Sequence, residues 1–513
     1  MTLIILGIDA LHHQLIKKCK DEMPTLYTHL QKDTQGILRT TIPYFTGPTW
    51  TSFQTGKKIG NHGIANFFKY DDKLQIDVVS SKDIKEKTFY ELADSQGKKC
   101  FIMNLPFSYP AKIDGDIVFS WLHLYKNIED LFHPTSLQET YPSLQKYVCR
   151  ADRSRSVIRY LNSALDVAKS QNNVVKDVLK RKEHDVYFFL LNAADMVQHK
   201  AFDDLMHDKN NKKTKISRKI LQELDSVVEW IDKNKDDNTT VLIASDHGFQ
   251  VYDGKFFCNS WLKKNGYLTT SIKEGEGTSL QDVIIRGQKK KKRNIDISKF
   301  IIFVKKRPKL FRSLEPFYDF CIKILPFNVV KQPKINFDKT QAFCRSLFEG
   351  TILLNKNLSD TEKEKLKKEL IEKLNEIKDI EAHDCEEFFK GKYSKKLGDI
   401  IVTSTKYEID TTIGDTEFMH IKREMHSLDG IFMAYGKDIK KEYTTQGANI
   451  VDVAPTILHK LGVPIPKDMD GKVLQNIFVD SSELQKKEIV FETENNTEKE
   501  KDLLKSSIKN LRL

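Results

Sequence analysis

Three aspartates, three histidines and one threonine stand out in this sequence because of where they fall relative to the predicted strands. Each lies just after a segment that reads as a strand, or at the start of the following helix or loop: Asp9, Thr46, Asp195, His199, Asp246, His247 and His426. In an open parallel α/β sheet, residues at such positions converge along the carboxyl edge of the sheet. Carboxylates and imidazoles with one hydroxyl between them form a natural ligand set for two zinc-like ions and a nucleophile.

The candidate ligands differ in how specifically their spacing indicates a metal site. Asp195 and His199 are four residues apart, so on a helix they would face the same side and could bind one ion. A solvated Asp beside a helical His would show the same spacing. Asp246 and His247 are more specific, because Ser-Asp-His-Gly-Phe directly follows an apolar run where two polar ligands serve no packing purpose. His426 is a weak signal by itself.

The hydroxyl in this set needs activation, since a free hydroxyl is a poor nucleophile at neutral pH. Metal coordination or the positive end of a helix would lower its pKa. The amides of the same helix N-terminus can receive a phosphate, and two ions about 4 Å apart can stabilise the attacking and leaving oxygens of an in-line displacement. Thr46, Thr49 and Thr51 lie in one segment. Their spacing does not choose among them, and Thr46 could instead be a helix N-cap.

The elements that must position these residues follow from the apolar pattern. A helix over Thr51 to Thr55 is predicted to begin beyond Pro48, which leaves Thr46 near its N-terminus, and residues 359–378 read as an amphipathic helix with an N-cap. The alternation of strands and helices predicts an α/β fold with a mostly parallel sheet sandwiched by helices. Short apolar runs typical of buried strands occur at 2–8, 99–104, 116–120, 185–192, 239–244 and 430–434.

This alternation breaks between about residues 262 and 420, where a lysine-rich run and mixed segments replace it. We therefore predict an inserted cap or substrate region over 262–420. The core α/β metal-binding domain is predicted to comprise 1–261 and a closing part, 421–480, and residues 481–513 read as a charged tail.

Composition limits the classes of protein that this chain can represent. Its 513 residues are 39% hydrophobic and 30% charged, which is typical of a soluble globular protein with more than one domain. The net charge of +11 is local rather than uniform, so no specific nucleic-acid partner is expected. The seven cysteines are widely separated, and the sequence shows neither a signal peptide nor a run of roughly 20 apolar residues. We expect a cytoplasmic protein with reduced thiols.

A second reading comes from residues 300–331, where basic and aromatic side chains alternate; Lys305, Phe311 and Phe317 are examples. Basic amphipathic segments can lie on anionic lipid. Peripheral membrane contact, or a membrane-surface or polyanion-binding role, is therefore an alternative to a cap helix that packs over the site. The two readings can also coexist.

The motifs resemble the alkaline phosphatase superfamily and, within it, the prokaryotic branch of the type I phosphodiesterase/nucleotide pyrophosphatase family. In that family the nucleophilic Thr lies ten residues before the Gly of a Thr-Gly pair, and a His-Gly-Ile follows. Here Gly56 counts back to Thr46, and His-Gly-Ile occupies 62–64. Segments 259–262 and 452–458 are also similar to motifs of the family.

The resemblance implies a site and an activity. One divalent ion would be held by Asp195, His199 and His426, and a second by Asp9, Thr46, Asp246 and His247, with Zn²⁺ expected and Mn²⁺ the alternative. Thr46 would be the catalytic nucleophile. The implied function is a two-metal phosphodiesterase or nucleotide pyrophosphatase that forms a covalent phospho-threonine intermediate on a nucleotide, lipid or glycan phosphate. A phosphomonoesterase or a phosphonate hydrolase on the same scaffold is the alternative.

The sequence departs from the family at one position. Nucleotide pyrophosphatases commonly carry an Asn five residues after the motif His, where it hydrogen-bonds the substrate phosphoryl group. Phe67 stands at that position here, and Asn66 lies one residue early. The resemblance therefore does not imply a nucleotide substrate in particular.

Overall fold

The computed structural model describes residues 2–70, 76–120, 127–152, 156–271, 334–345 and 350–492. The basic segment 300–331 and most of the predicted tail lie outside these residues.

The strands, in chain order, are β1 (Thr2–Ile8), β2 (Thr34–Arg39), β3 (Phe68–Tyr70), β4 (Ile76–Val78), β5 (Cys100–Met103), β6 (Asp116–Val118), β7 (Phe132–His133), β8 (Val186–Leu191), β9 (Thr239–Ala244), β10 (Gly248–Tyr252), β11 (Gly254–Phe257), β12 (Thr270–Ser271), β13 (Lys334–Ile335), β14 (Ala342–Cys344), β15 (Thr351–Leu354), β16 (Glu381–Asp384), β17 (Ile400–Thr403), β18 (Tyr407–Asp410), β19 (Phe418–Met419), β20 (Arg423–Ser427), β21 (Asp429–Gly436), β22 (Tyr443–Thr444) and β23 (Ala448–Asn449).

The helices are α1 (His13–Lys18), α2 (Pro24–Lys32), α3 (Thr46–Thr55), α4 (Ile59–His62), α5 (Phe89–Ser95), α6 (Leu137–Thr140), α7 (Val157–Arg181), α8 (Ala193–Met206), α9 (Lys212–Asn234), α10 (Cys258–Lys264), α11 (Asp360–Asn375), α12 (Cys385–Phe389), α13 (Ser394–Leu397), α14 (Val453–Leu461) and α15 (Glu483–Lys486).

One large sheet organises the core, with the strand order β22-β2-β21-β9-β1-β8-β5-β6-β7. The five central strands β9, β1, β8, β5 and β6 are parallel to one another, and β7 is antiparallel to β6 at the edge. β21 is inserted antiparallel between β9 and β2. The predicted α/β fold with a mostly parallel sheet flanked by helices is confirmed.

The central strands are continuous apolar runs because helices cover both faces of the sheet. Alternate residues of β1 point into two separate hydrophobic clusters. Ile4 and Leu6 join the cluster that includes buried residues of α7, α8 and α9. Leu3 and Ile5 join the other cluster, which contains Trp50 of α3.

Helix α3 begins at Thr46, so the prediction that it starts beyond Pro48 was wrong. The first turn of a helix has no intrahelical partner for its N–H groups, and a proline there therefore loses no hydrogen bond. The helix ends at Gly56, which has a φ of +63° and caps it in the left-handed conformation.

A four-stranded antiparallel sheet, β14-β15-β17-β16, lies within the region predicted as an insertion. Helix α11 packs on it, and the predicted N-cap is present as a capping box between Ser359 and Glu362. The hydrophobic cluster of this region also takes in Phe256 and Cys258, which precede residue 262. The domain boundaries drawn from the sequence remain a prediction. Among the described helices, none combines the length and the apolar character needed to cross a membrane.

Candidate metal centre and active site

Three carboxylates meet where adjacent parallel strands end. Asp9 follows β1 directly, Asp246 lies just beyond β9, and Asp195 is in the first turn of α8, which follows β8. Because β9, β1 and β8 are neighbours, their carboxyl ends share one edge of the sheet. The backbone N–H of Ala10 donates to Asp246 Oδ1 at 3.3 Å, which ties the first two strand ends together.

The histidines reach this edge by different routes. His199 lies one helical turn after Asp195, and its Nε2 is 3.2 Å from Asp195 Oδ1. His426 arrives because β20 pairs antiparallel with β10, which places it opposite Phe249 and beside His247. The rings of His247 and His426 stack with centroids 3.7 Å apart. His426 Nε2 lies 3.0 Å from His199 Nε2.

The six candidate metal-binding side chains thus form one continuous cluster. One group with ligand atoms within 4.8 Å of one another contains Asp9, Asp246 and His247. This matches the side chains, Thr46 apart, that the resemblance assigns to the second ion. A second such group contains Asp195, His426 and again His247, with His199 beside it. His247 therefore lies between the two groups rather than in only one of them.

The orientation of two imidazoles suits metal binding. His247 Nδ1 lies 3.0 Å from the carbonyl of Gly248, and His426 Nδ1 lies 3.2 Å from the carbonyl of Tyr44. A carbonyl only accepts, so each Nδ1 carries the proton and each Nε2 presents a lone pair to the cluster. Metal-binding histidines are commonly oriented by such a hydrogen bond from the other ring nitrogen.

The cluster contains polar atoms that a cation would satisfy. Asp9 Oδ1, Asp195 Oδ1 and His247 Nε2 are buried and make no hydrogen bond of good geometry within the described residues. His247 Nε2 instead faces carboxylate oxygens of Asp9 and Asp246 at 3.5 and 3.3 Å. A nitrogen lone pair and carboxylate oxygens repel one another at such distances, and a cation that lies between them removes this repulsion. The residues present therefore fit divalent ions such as Zn²⁺.

The pKa values of the three carboxyl groups also favour a cation at this cluster. Burial, together with the charges of Asp246 and Asp195, raises the pKa of Asp9 well above its usual range. Burial also raises the pKa of Asp246 to about 7. For Asp195 burial acts in the same direction, but His199 and His426 outweigh it and hold its pKa well below the usual range. Two carboxylates with raised pKa values side by side are the groups whose charged forms a divalent cation would stabilise.

The first turn of α3 borders this cluster. Tyr44, two residues before Thr46, accepts from His426, and Thr49 Oγ1 lies 3.4 Å from Asp246 Oδ2. Thr46 itself is buried and occupies the first position of the helix. Its hydroxyl makes no hydrogen bond to another described residue.

The other threonine hydroxyls of this helix are engaged. Thr49 Oγ1 donates to the carbonyl of Phe45 at 2.7 Å, and Thr51 Oγ1 donates to that of Gly47 at 2.8 Å. The spacing within this segment left residues 46, 49 and 51 open, and the resemblance to the family motif pointed to Thr46. Hydrogen bonding agrees with that choice, because Thr49 and Thr51 donate to carbonyls and Thr46 does not.

Several groups that position the candidate ligands were not predicted from the sequence. Gln198 donates to the carbonyl of Ala10 at 2.8 Å and contacts His12 Nε2, which steadies the loop after Asp9. The carbonyls of Tyr44 and Gly248 orient two histidines. Backbone carbonyls carry no sequence signal, so these contacts could not have been inferred.

The structure also shows what occupies the position where the family commonly has Asn. A Cβ added at Gly47 would come within 3.0 Å of the Phe67 ring and 2.8 Å of the Phe107 ring. Phe67 therefore lies against the residue that follows Thr46. Asn66 is buried, and its Oδ1 accepts from the N–H of Phe67 at 2.6 Å.

Comparison with known proteins agrees with this picture. A profile of the type I phosphodiesterase / nucleotide pyrophosphatase family matches residues 3–305. No curated protein matches the chain in sequence.

Among solved structures, the chain is similar in fold to murine ectonucleotide pyrophosphatase / phosphodiesterase 5, with a TM-score of 0.52 and 13% identity over 93% of this chain and 100% of that one. It is also similar to phosphonoacetate hydrolase from Sinorhizobium meliloti 1021, with a TM-score of 0.51 and 13% identity over 90% and 95% of the two chains. A third is the alkaline phosphatase PafA, with a TM-score of 0.53 and 11% identity over 93% and 99%.

At these identities the structures establish the fold, and the profile, which spans more than half of the chain, establishes the family. The resemblance predicted from the motifs is confirmed. The chain belongs to the type I phosphodiesterase/nucleotide pyrophosphatase family.

Proposed function

We propose that this chain is a metal-dependent phosphoester hydrolase that prefers phosphodiesters and uses Thr46 as its nucleophile. Family membership indicates phosphoester hydrolysis. The assignment of Thr46 rests on one observation: the only threonine hydroxyl of α3 with no hydrogen bond among the described residues is at the helix N-terminus that borders the Asp and His cluster. The preference for diesters is supported by the family's description as phosphodiesterases.

The cluster offers ligands for two ions. Asp9, Asp246 and His247, with Thr46, would hold one ion, and Asp195, His199 and His426 would hold the other. Zn²⁺ suits this mixture of imidazole and carboxylate, and Mn²⁺ is the alternative. When bound, such ions act as Lewis acids that stabilise charge on the attacking, leaving and non-bridging oxygens.

The chain's own groups account for the rest of the reaction. The positive end of α3 favours the deprotonated form of Thr46 Oγ1. Thr46 Oγ1 loses its proton and bonds to phosphorus, and the bond from phosphorus to the departing alkoxide breaks as that oxygen gains a proton. Water then cleaves the bond between phosphorus and Oγ1, which returns a proton to Thr46 and releases the phosphate monoester. The free N–H groups of the first helical turn can hold phosphoryl oxygens throughout.

A phosphomonoesterase or a phosphonate hydrolase would use the same residues. The names of two similar structures, the alkaline phosphatase PafA and phosphonoacetate hydrolase, keep this second candidate open. The ring of Phe67, in place of the family's Asn, also separates this site from that of a typical nucleotide pyrophosphatase.

The substrate is proposed to be a small phosphate ester. An inactive variant of murine ectonucleotide pyrophosphatase / phosphodiesterase 5 has been solved in complex with AMP, which supports a nucleotide, beside a lipid or glycan phosphate, as one class to test. Membrane contact through 300–331 and a cytoplasmic location stay predictions.

The test compares two chromogenic esters on the same protein. The enzyme is stripped with a chelator and reloaded with Zn²⁺ or Mn²⁺, and hydrolysis of bis(p-nitrophenyl) phosphate and p-nitrophenyl phosphate is measured. We expect activity only after reloading and a higher kcat/KM for the diester. A higher value for the monoester would transfer the function to a phosphatase, and equal rates with and without metal would refute metal dependence.

A further inference from the structure

Ala10, the residue after the candidate ligand Asp9, has a backbone conformation that alanine rarely adopts. Its φ is +61°, in the left-handed region, where the methyl group crowds the following carbonyl oxygen. Such a conformation persists only where the surrounding structure holds it, and it is frequent at functional sites. The contacts that hold Ala10 therefore also fix the turn that carries Asp9.

Both backbone polar groups of Ala10 are engaged by elements that carry other candidate ligands. Its N–H donates to Asp246 Oδ1 at 3.3 Å, and its carbonyl accepts from Gln198 Nε2 at 2.8 Å. Gln198 lies on α8 between Asp195 and His199, which are ligands assigned to the first ion. Ala10 thus connects the helix of the first ion with a carboxylate of the second.

Three hydrogen bonds fix the amide of Gln198. Besides the bond to Ala10, its Nε2 donates to the carbonyl of Ala194 at 3.2 Å, so two carbonyls determine which end of the amide faces them. Its Oε1 lies 2.8 Å from His12 Nε2. Burial lowers the pKa of His12 to about 4, so the ring is neutral at pH 7 and its one proton is donated from Nε2 to Gln198.

The amide acts on the cluster only through the backbone. Gln198 is fully buried, so water cannot replace its hydrogen bonds. Within the described part of the chain, it makes no hydrogen bond to the side chain of any of the six candidate ligands. Its bond to the carbonyl of Ala10 is the contact through which it can affect Asp9 and Asp246.

We propose that Gln198 is a positioning residue for the second ion, the one that Asp9, Asp246 and His247 would hold, although it lies on the helix of the first. The proposal rests on the proposed function, since it requires that ions bind at this cluster. Without the bond from Gln198, Ala10 can leave the left-handed region. That change would turn the residue that follows Asp9 and move the N–H that is bonded to Asp246. Groups that orient metal ligands typically change metal affinity by about 10- to 100-fold.

Zinc binding without catalysis tests the proposal. Metal-free protein is equilibrated with a series of buffered free Zn²⁺ concentrations, and the bound zinc is counted by mass spectrometry. Gln198→Met keeps the length of the side chain but removes the amide. We expect one of its two ions to need about tenfold more free Zn²⁺ than in wild type. Gln198→Asn, whose amide is one methylene shorter, should weaken the same ion and keeps a polar group if Met impairs folding.

The matched control is Asn172→Leu, which removes another buried amide. Asn172 of α7 donates to the carbonyl of Glu223 of α9 at 2.6 Å. This variant should bind both ions as the wild type does. A loss of the same size in Asn172→Leu would show that any damage to buried hydrogen bonding weakens the ion, and it would overturn the proposal.

Two ligand variants identify which ion is weakened. Asp195→Asn weakens the first ion and Asp246→Asn the second, so each leaves the other ion to be measured. Adding Gln198→Met should cost about tenfold in the Asp195→Asn background, where the second ion remains, and little in the Asp246→Asn background. An equal loss in both backgrounds, or no loss in either, would contradict a role at the second ion.

A substitution at Ala10 tests whether the effect passes through this residue. Glycine adopts the left-handed region without strain, so Ala10→Gly should restore about threefold or more of the affinity that Gln198→Met loses. The restoration is expected even though the methyl group removed belongs to a cluster with Phe202 and Phe249. An unchanged loss would show that Gln198 does not act through Ala10.

Failure of this proposal can be distinguished from failure of the proposed function. Two equally tight ions in wild type and in Gln198→Met would overturn the role of Gln198 alone. A wild-type protein that binds no zinc at any concentration would contradict the ion binding on which both proposals depend.

Discussion

At the residue scale, the candidate nucleophile Thr46 differs from the neighbouring threonines in the hydrogen bonding of its hydroxyl. The hydroxyls of Thr49 and Thr51 donate to the backbone carbonyls four residues earlier, while the hydroxyl of Thr46 has no such hydrogen bond among the described residues. Thr46 also occupies the first helical position, where the helix dipole favours an anionic oxygen. The two effects act on the same atom.

Replacing Thr46 with Ala should lower kcat on bis(p-nitrophenyl) phosphate by about 10³-fold or more, because no other hydroxyl in the helix can form the covalent intermediate. Metal content, measured by mass spectrometry after dialysis, should change little, since the Asp and His ligands remain. Thr51→Val is the control, because its hydroxyl only bonds within the helix. Retained activity in the Thr46 variant would contradict its assignment.

At the element scale, helices α2 and α9 brace one side of the sheet. Asp225 of α9 accepts from the N–H groups of Thr25 and Leu26 at 3.1 and 2.8 Å, which satisfies the N-terminus of α2. His29 of α2 lies between Asp33 and Asp232, 2.8 Å from each, and stacks on Tyr435 of β21. Since β21 pairs with β9, this brace supports the strand that ends just before Asp246.

The brace should make stability depend on pH. Burial alone would lower the pKa of His29, but its hydrogen bonds to Asp232 and Asp33 outweigh burial and raise it to about 9. A His with a raised folded pKa contributes stability that is fully present below its unfolded pKa of about 6.5 and lost as the pH rises through 9. We expect the free energy of unfolding to fall by about 3 kcal/mol across this window.

Urea denaturation at pH 6, 8 and 10 would measure this dependence, with His29→Gln as the comparison. Gln at this position can still donate a hydrogen bond but does not titrate. The difference between wild type and variant should therefore shrink toward high pH, and a constant difference would show that the charge of His29 contributes nothing.

At the scale of the whole molecule, the site joins parts of the chain that are more than four hundred residues apart. β1, β8 and β9 bring the carboxylates, α3 brings Thr46, and the pairing of β10 with β20 brings His426. Asp9 and Asp246 are thereby buried, and Asp195 is partly buried, within one cluster, which costs free energy unless cations neutralise their charges.

Metal removal should therefore lower thermal stability as well as activity. A ligand that binds only the folded state at 100 times its Kd contributes about 2.7 kcal/mol, so we expect chelation to lower Tm by several degrees. Adding Zn²⁺ or Mn²⁺ should restore it, as followed by differential scanning calorimetry. Asp246→Asn, which weakens one ligand, should respond much less to added metal. Identical melting with and without metal would contradict ion binding at this cluster.

Much of this protein followed from the sequence by itself. Asp9 and Asp246 could be placed at strand ends because each follows a continuous apolar run, which a sheet covered on both faces requires. The α11 helix and its cap were predictable because Ser359 and Glu362 interact within one turn. Such features depend on near neighbours in the chain. The family could be recognised for a related reason, since its motifs are short and local.

Only the tertiary structure decided how the separate pieces meet. Strand pairing between distant segments placed His426 against His247, and no local pattern specifies such a pair. The start of α3 at Thr46 was missed because a proline in the first turn is tolerated where it seemed to mark a boundary. Local periodicity depends on adjacent residues, whereas the position of His247 between the two ligand groups arises from packing between distant parts of the chain.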